Sequence, residues 1–274
     1  MSSQIVINST HFVQETNSFV YVLPQAQAWA QGQMEISLSS FSAYNAFFNV
    51  SSKYSNTSVT IEWPSGASDW QSTTVELDPA FYDAAALSAK IKQICYDNAW
   101  FSTEAGVNLI YMTVGTSTYE YKNTITTYEV GASVIPPSGA TWVQTTGGRA
   151  PRITLSSGLG AIIGFSAGVY GEVAGTYKSD LIPQVDQESS ILVCAPTLVH
   201  SGGLSAVSSL IYSMAKNAAF GSLMTSPAHE SVWHDVRPGQ YQQITIELYG
   251  NNLTRLELQD TNVMIVLSLR RKRK

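Results

Sequence analysis

The apolar and polar positions begin to alternate at Met34. Met34, Ile36 and Leu38 point one way and Glu35, Ser37 and Ser39 the other, the period of two expected of a half-buried strand. Residues 41–50 are expected to continue in the same direction. Further strands are predicted at 59–63, closed by Pro64, Ser65 and Gly66, and at 73–77, closed by Asp78 and Pro79. The period changes once, where Leu87, Ile91, Ile94 and Cys95 recur at helical spacing behind Asp83, an N-cap residue type, and before Trp100. One amphipathic helix is predicted there, lying against a sheet. Strand-like pattern resumes at 108–114, and a second, shorter helical turn is expected at 158–165. Strands are predicted at 190–199, 208–214, 241–249, 253–258 and 263–269. The last of them holds Val263, Met264, Ile265, Val266 and Leu267, apolar on both faces, as a central sheet position or a subunit interface requires. Gly250, Asn251 and Asn252 form a hairpin signal, because Gly and Asn tolerate positive φ.

Two stretches lack a period. Residues 1–32 are rich in Ser, Gln and Asn with scattered aromatics (Phe12, Phe19, Tyr21, Trp29) and read as an N-terminal arm laid over another surface. Residues 115–148 are rich in Thr, Tyr and Gly around Pro136 and Pro137, and read as long hairpins or an insertion. Short strands punctuated by turn residues make the class all-β, organised as a sandwich. The expected organisation is an arm over 1–32, a single domain over 33–269 and a basic tail over 270–274.

Composition sharpens this picture. Of 274 residues, 44% are hydrophobic and only 13% charged, so the chain can bury a sizeable core but presents a sparsely charged surface, suited to being covered by neighbours. The net charge of −5 hides an asymmetry. Arg270, Arg271, Lys272, Arg273 and Lys274 are five of its fifteen basic residues, and the remaining ten stand against twenty acids, a body of −10. An acidic body with a basic tail implies two different partners, the tail facing something anionic. Packaged nucleic acid, a nuclear-import receptor and plain solvent are the three readings of that tail. No signal-peptide pattern and no run of 18 apolar residues occurs, so synthesis in a cytosol and no membrane span are expected. Sequons at Asn8, Asn49, Asn56 and Asn252 are then chance occurrences, and Cys95 and Cys194 are expected as reduced core thiols.

Candidate chemistry is thin. His229-Glu230 and His234-Asp235 form the one cluster that resembles a metal or general-base site, but its histidines are five apart and flanked by Pro227 and Trp233, as in a loop. Gly158, Gly160 and Gly164 miss the dinucleotide fingerprint by one position, and no Lys-Ser or Lys-Thr follows. Small residues in that spacing suit a helix packed tightly on a strand. No nucleophile elbow or triad-like context surrounds any Ser, Cys or Asp. No catalytic residue, metal ligand or cofactor is therefore assigned, and the chain is read as a non-enzyme.

Seven short stretches follow one another in the C-terminal block: 175–183 (GTYKSDLIP), 190–194 (SILVC), 210–213 (LIYS), 221–223 (GSL), 233–236 (WHDV), 241–246 (YQQITI) and 265–270 (IVLSLR). In this order they resemble the penton (vertex, minor capsid) proteins of virophages and Polinton-type viruses. Residues 41–45 (FSAYN) and 47–50 (FFNV), followed by 78–100, look like that family's opening hairpin and helix. Together the likeness spans most of 34–270, carried by the order of short blocks. It departs at Tyr249-Gly250, where an acidic turn residue is more usual, and at 115–148, which has no counterpart. The resemblance implies a single jelly-roll β-sandwich of two antiparallel sheets and eight core strands, with one short amphipathic helix and loop insertions. It further implies a capsid protein that forms homopentamers at the vertices of an icosahedral virion and interlocks with the major capsid protein. Aromatic residues of the arm and of 115–148 are expected to anchor the subunit contacts, and the basic tail to meet packaged nucleic acid. The alternatives are a jelly-roll binding module, lectin-like or a trimeric ligand, recognising a glycan or receptor, and a cupin-type enzyme, which needs more converging His and Glu than four histidines supply.

Overall fold

The computed structural model describes residues 2–66, 68–104, 107–117, 120–131, 134–142, 148–186, 188–199, 209–227 and 232–272. The chain forms two compact units, one made of 1–47 with 188–274 and the other continuous from Phe48 to Gln187. In chain order the first unit opens with β1 (Ser2–Ile7), β2 (Phe12–Val13), β3 (Ser18–Trp29) and β4 (Met34–Tyr44). The second supplies β5 (Ser58–Ser65), β6 (Asp69–Glu76), α1 (Ala84–Asp97), β7 (Ser102–Glu104), β8 (Val107–Leu109), β9 (Met112–Thr116), β10 (Asn123–Thr127), β11 (Arg149–Leu155), α2 (Ser157–Ile163), β12 (Gly168–Val173) and β13 (Gly175–Lys178). The first unit is completed by β14 (Ser190–Cys194), β15 (Leu210–Ala215), β16 (Leu223–Pro227), β17 (His234–Asp235), β18 (Gly239–Gly250) and β19 (Met264–Arg271).

In the first unit one sheet has the order β1-β19-β4-β16, with β17 also on β4, and the other the order β15-β14-β18-β3-β2. All pairs are antiparallel, and the chain crosses between the sheets at β1 to β2, β3 to β4, β15 to β16, β17 to β18 and β18 to β19, a jelly-roll type of connection. Ile7, Ile36, Leu38, Phe41, Ile265 and Leu267 from the first sheet share one core with Phe19, Ile191, Val193, Ile211, Ile244 and Ile246 from the second. Each such side chain contributes about 1.5–3 kcal/mol by leaving water.

Strand β19 runs between β1 and β4, the central position that its two-sided apolar run predicts. In β4 the alternation slips. Leu38 pairs with Leu267 but Ser40 with Val266, leaving Ser39 as an extra residue, so Leu38 and Phe41 both reach the core although three apart. Ser37 and Glu35, predicted to face water, are buried as well.

The stretch read as an arm forms three strands. All six residues of β1 pair with β19, from Ser2 on Arg270 to Ile7 on Ile265, and β3 pairs with β18. Partners more than 200 residues away supply the order that local pattern does not show, from Trp29 on Gly239 to Ser2 on Arg270. The strand predicted at 253–258 does not form; an isolated bridge joins Tyr249 to Arg255. In that turn the left-handed backbone falls on Leu253 (φ 61°) and not on Gly250. The Glu188 carboxylate lies against Gly250, so a Cβ there would require that carboxylate to move.

The second unit holds sheets β12-β11-β5-β6, β13-β10-β9 and β7-β8. Helix α1 starts where predicted: Asp83 accepts a hydrogen bond from the Ala86 amide at 2.7 Å, and Leu87, Ile91, Ile94 and Cys95 are buried. Their partners include Val59, Ile61 and Trp63 of β5 and Met112 and Val114 of β9, in one core with Trp100 and Trp142. Helix α2 realises the second predicted helical turn, capped by Ser156 and ended by Gly164 at φ 80°. The predicted insertion at 115–148 contains the end of β9 and all of β10, which pair as a hairpin; residues 143–147 lie outside the described residues.

Candidate functional site

Among the described residues, no catalytic centre assembles from the predicted chemistry. His229 and Glu230 lie outside the described residues. His234 and Asp235 form β17, with His234 Nε2 3.0 Å from the Ile211 carbonyl oxygen and Asp235 bound to Lys272 Nζ at 2.7 and 2.9 Å. Among the described residues, no three His, Cys, Asp or Glu side chains converge as metal ligands would. The glycine motif is a packing device. A Cβ at Gly160 would stand 2.5 Å from the Phe165 carbonyl oxygen, and one at Gly164 would meet the Leu181 carbonyl. Cys95 and Cys194 are free and fully buried, one in each unit, and burial pushes each thiol up to about 12.

Two sequons serve the fold. Asn49 is 1% exposed; its Nδ2 donates to the carbonyls of Tyr82 (2.8 Å) and Val185 (2.9 Å), and its Oδ1 accepts from the Tyr82 amide (2.8 Å). Asn56, fully buried, donates to the Asn49 carbonyl at 2.8 Å and accepts from the Ser51 amide at 3.0 Å. A glycan has no room at either.

The basic tail is divided. Arg270 lies within β19, its Nε 2.8 Å from Glu35 Oε2 and its guanidinium 3.8 Å from the centroid of the Trp233 ring. Lys272 is held by Asp235, a hydrogen bond that raises its pKa. Arg271 is exposed and has no ion pair among the described residues, and Arg273 and Lys274 lie outside them. Sequence reasoning treated five charges as one tail because it could not see β19 run to Arg271.

What remains on the surface is strand edge. In the first unit β1, β2, β3, β15 and β16 contain no charged residue. Sheets normally discourage further pairing with edge charges, and the second unit does so with Asp69 and Glu76 on β6 and Glu172 on β12. On β16, Leu223 is 52% exposed and lies opposite Tyr44, 40% exposed, with Phe220, also 40% exposed, in the turn before it. Of the aromatics predicted as anchors, Phe19 and Trp142 are buried in their own cores, while Tyr121 and Tyr128 are exposed.

The described residues thus form an all-β chain whose first unit has jelly-roll crossings between two antiparallel sheets and uncharged strands at their edges. No protein-family model matches the sequence, and no curated protein matches it. Among solved structures, the mavirus penton protein has this fold, with a TM-score of 0.50 at 10% identity over 99% of this chain and 98% of that one. A cryo-electron-microscopy structure of the Sputnik virophage aligns with a TM-score of 0.49 at 10% identity, over 99% of this chain and 97% of that one. At such identity the likeness concerns the fold.

Proposed function

We propose that the chain is a structural capsid subunit of penton type, a non-enzymatic component of a virion that forms homopentamers at icosahedral vertices and interlocks with a major capsid protein. The observation that carries this reading is the row of uncharged strand edges on the first unit, on a fold shared end to end with a penton protein. Five-fold closure is a heterologous contact, so each subunit uses two different faces. Tyr44, Phe220 and Leu223 supply one of them, with exposed aromatic surface of the kind that dominates interface energy. A contact of about 1,000 Å² or more is needed for a stable ring. The basic terminus is read as a contact to packaged nucleic acid made through phosphate attraction. Because Arg270 and Lys272 already hold Glu35 and Asp235, that contact falls to Arg271, Arg273 and Lys274. Electron microscopy of the purified protein tests the reading: five-fold rings are expected, and particles of one subunit at all concentrations would exclude it.

A further inference from the structure

On one side of the first unit the sandwich is open. Strand β1 borders one sheet and β3 lies near the border of the other, where β2 covers only Ser18 and Phe19. From Val20 to Trp29 the outer edge of β3, like the outer edge of β1, has no strand partner among the described residues. Between these edges runs a cleft formed by two adjoining hollows of about 510 and 300 Å³ that share Ser3, Gln27, Trp29, Met34 and Leu269. Ile5, Tyr21 and Leu23 add apolar wall to the smaller one. No acid lines either hollow, and the larger is rimmed by Arg270 and Arg271. Glu35 answers Arg270, which leaves Arg271 without an ion pair among the described residues, at the mouth of a slot whose walls mix apolar and uncharged polar side chains, in a chain whose net charge is −5.

We propose that this slot receives an extended polypeptide strand from another protein. The incoming strand adds to the β1 or β3 edge, turns alternate apolar side chains into the cleft, and sets a carboxylate, from an acidic residue or a chain end, against Arg271. Open backbone edges select a polypeptide, since main-chain donors and acceptors in a row are matched by another strand. Arg271 selects an acidic one. Six residues of β1 offer about 20 Å of edge, at about 3.3 Å per residue, so a segment of about six residues fills it. The slot lies on different strands from the Leu223 surface assigned to the ring, so each contact can be lost without the other.

The test uses the full chain and three fluorescein-labelled probes: a heptapeptide alternating threonine and valine and ending in two glutamates, the same peptide ending in two lysines, and a 20-nucleotide oligothymidylate. Fluorescence anisotropy gives affinity, and hydrogen exchange maps protection. The acidic peptide is expected to bind at least tenfold more tightly than the lysine peptide and to slow exchange within 2–7 or 20–29. Arg271→Glu is expected to reverse the preference. Equal binding of the two peptides, protection confined elsewhere, or oligothymidylate that slows exchange within 2–7 or 20–29 as the acidic peptide does would overturn the proposal; oligothymidylate that meets Arg271 without protecting those edges is the nucleic-acid contact proposed above and leaves the slot standing. Rings that form normally while peptide binding is absent would sink the slot alone, and peptide binding by a protein that never forms rings would sink the ring alone.

Discussion

Replacing Asn49 by alanine removes three hydrogen bonds inside the second unit and leaves the Tyr82 amide and the Tyr82 and Val185 carbonyls without that partner. Each buried polar group so orphaned costs about 1–3 kcal/mol, the amide more than a carbonyl that keeps a second lone pair. The sum is about 3–5 kcal/mol, a large fraction of the roughly 5–15 kcal/mol that holds a domain folded. Urea unfolding followed by tryptophan fluorescence reads the change, because Trp63, Trp100 and Trp142 lie in that unit's core. Asn252→Ala is the control: the same chemical change at an exposed turn loses contacts to Thr254 alone and is expected to cost less than about 1 kcal/mol. An Asn49→Ala protein within about 1 kcal/mol of the parent would refute the assignment of this sequon to structure.

Cys95 and Cys194 are expected to resist alkylation at pH 8 in the folded protein and to react at once in urea. Their folded pKa, about 12 against an ordinary 9.0, adds stability that is fully present below pH 9 and lost as pH rises toward 12, at about 1.4 kcal/mol per unit for each thiol. A Cys95→Ala protein should therefore show a shallower alkaline decline in urea midpoint than the parent, and equal slopes would contradict this. For the tail, the three charges assigned to the proposed contact predict that log affinity for duplex DNA falls with log salt at a slope of about −2.7, where five would give about −4.5. A slope unchanged in an Arg271→Ala, Arg273→Ala, Lys274→Ala protein would exclude the tail as the contact.

Legibility in the sequence followed the range of the forces involved. Helix α1 was readable because its cap and its apolar stripe are local, as were α2, the hairpin partners β5 and β6, and the two-sided run in β19. Strands β1 and β3 were not. Their residues alternate poorly, Pro24 interrupts β3, and both are fixed by pairing with β19 and β18 near the other end of the chain. The boundary of the second unit was hidden because it opens in a short loop after β4, with no linker composition to mark it. The tail was seen as charge but not as strand, since the Arg270–Glu35 and Lys272–Asp235 pairs depend on the register of β19 against β4 and on β17 beside it. The structural roles of Asn49 and Asn56, and the approach of Glu188 to Gly250, were not legible because a short motif does not say which long-range partner its residue meets.

The central claim is that the uncharged edges of the first unit drive copies of this chain together. Light scattering on the size-excluded protein measures it directly, with Leu223→Glu as the comparison. The parent is expected near 150 kDa, five times 29.7 kDa, and the variant, which sets a buried charge into the proposed contact, at the mass of one subunit. A parent protein that elutes with the mass of a single chain at every concentration would contradict the account.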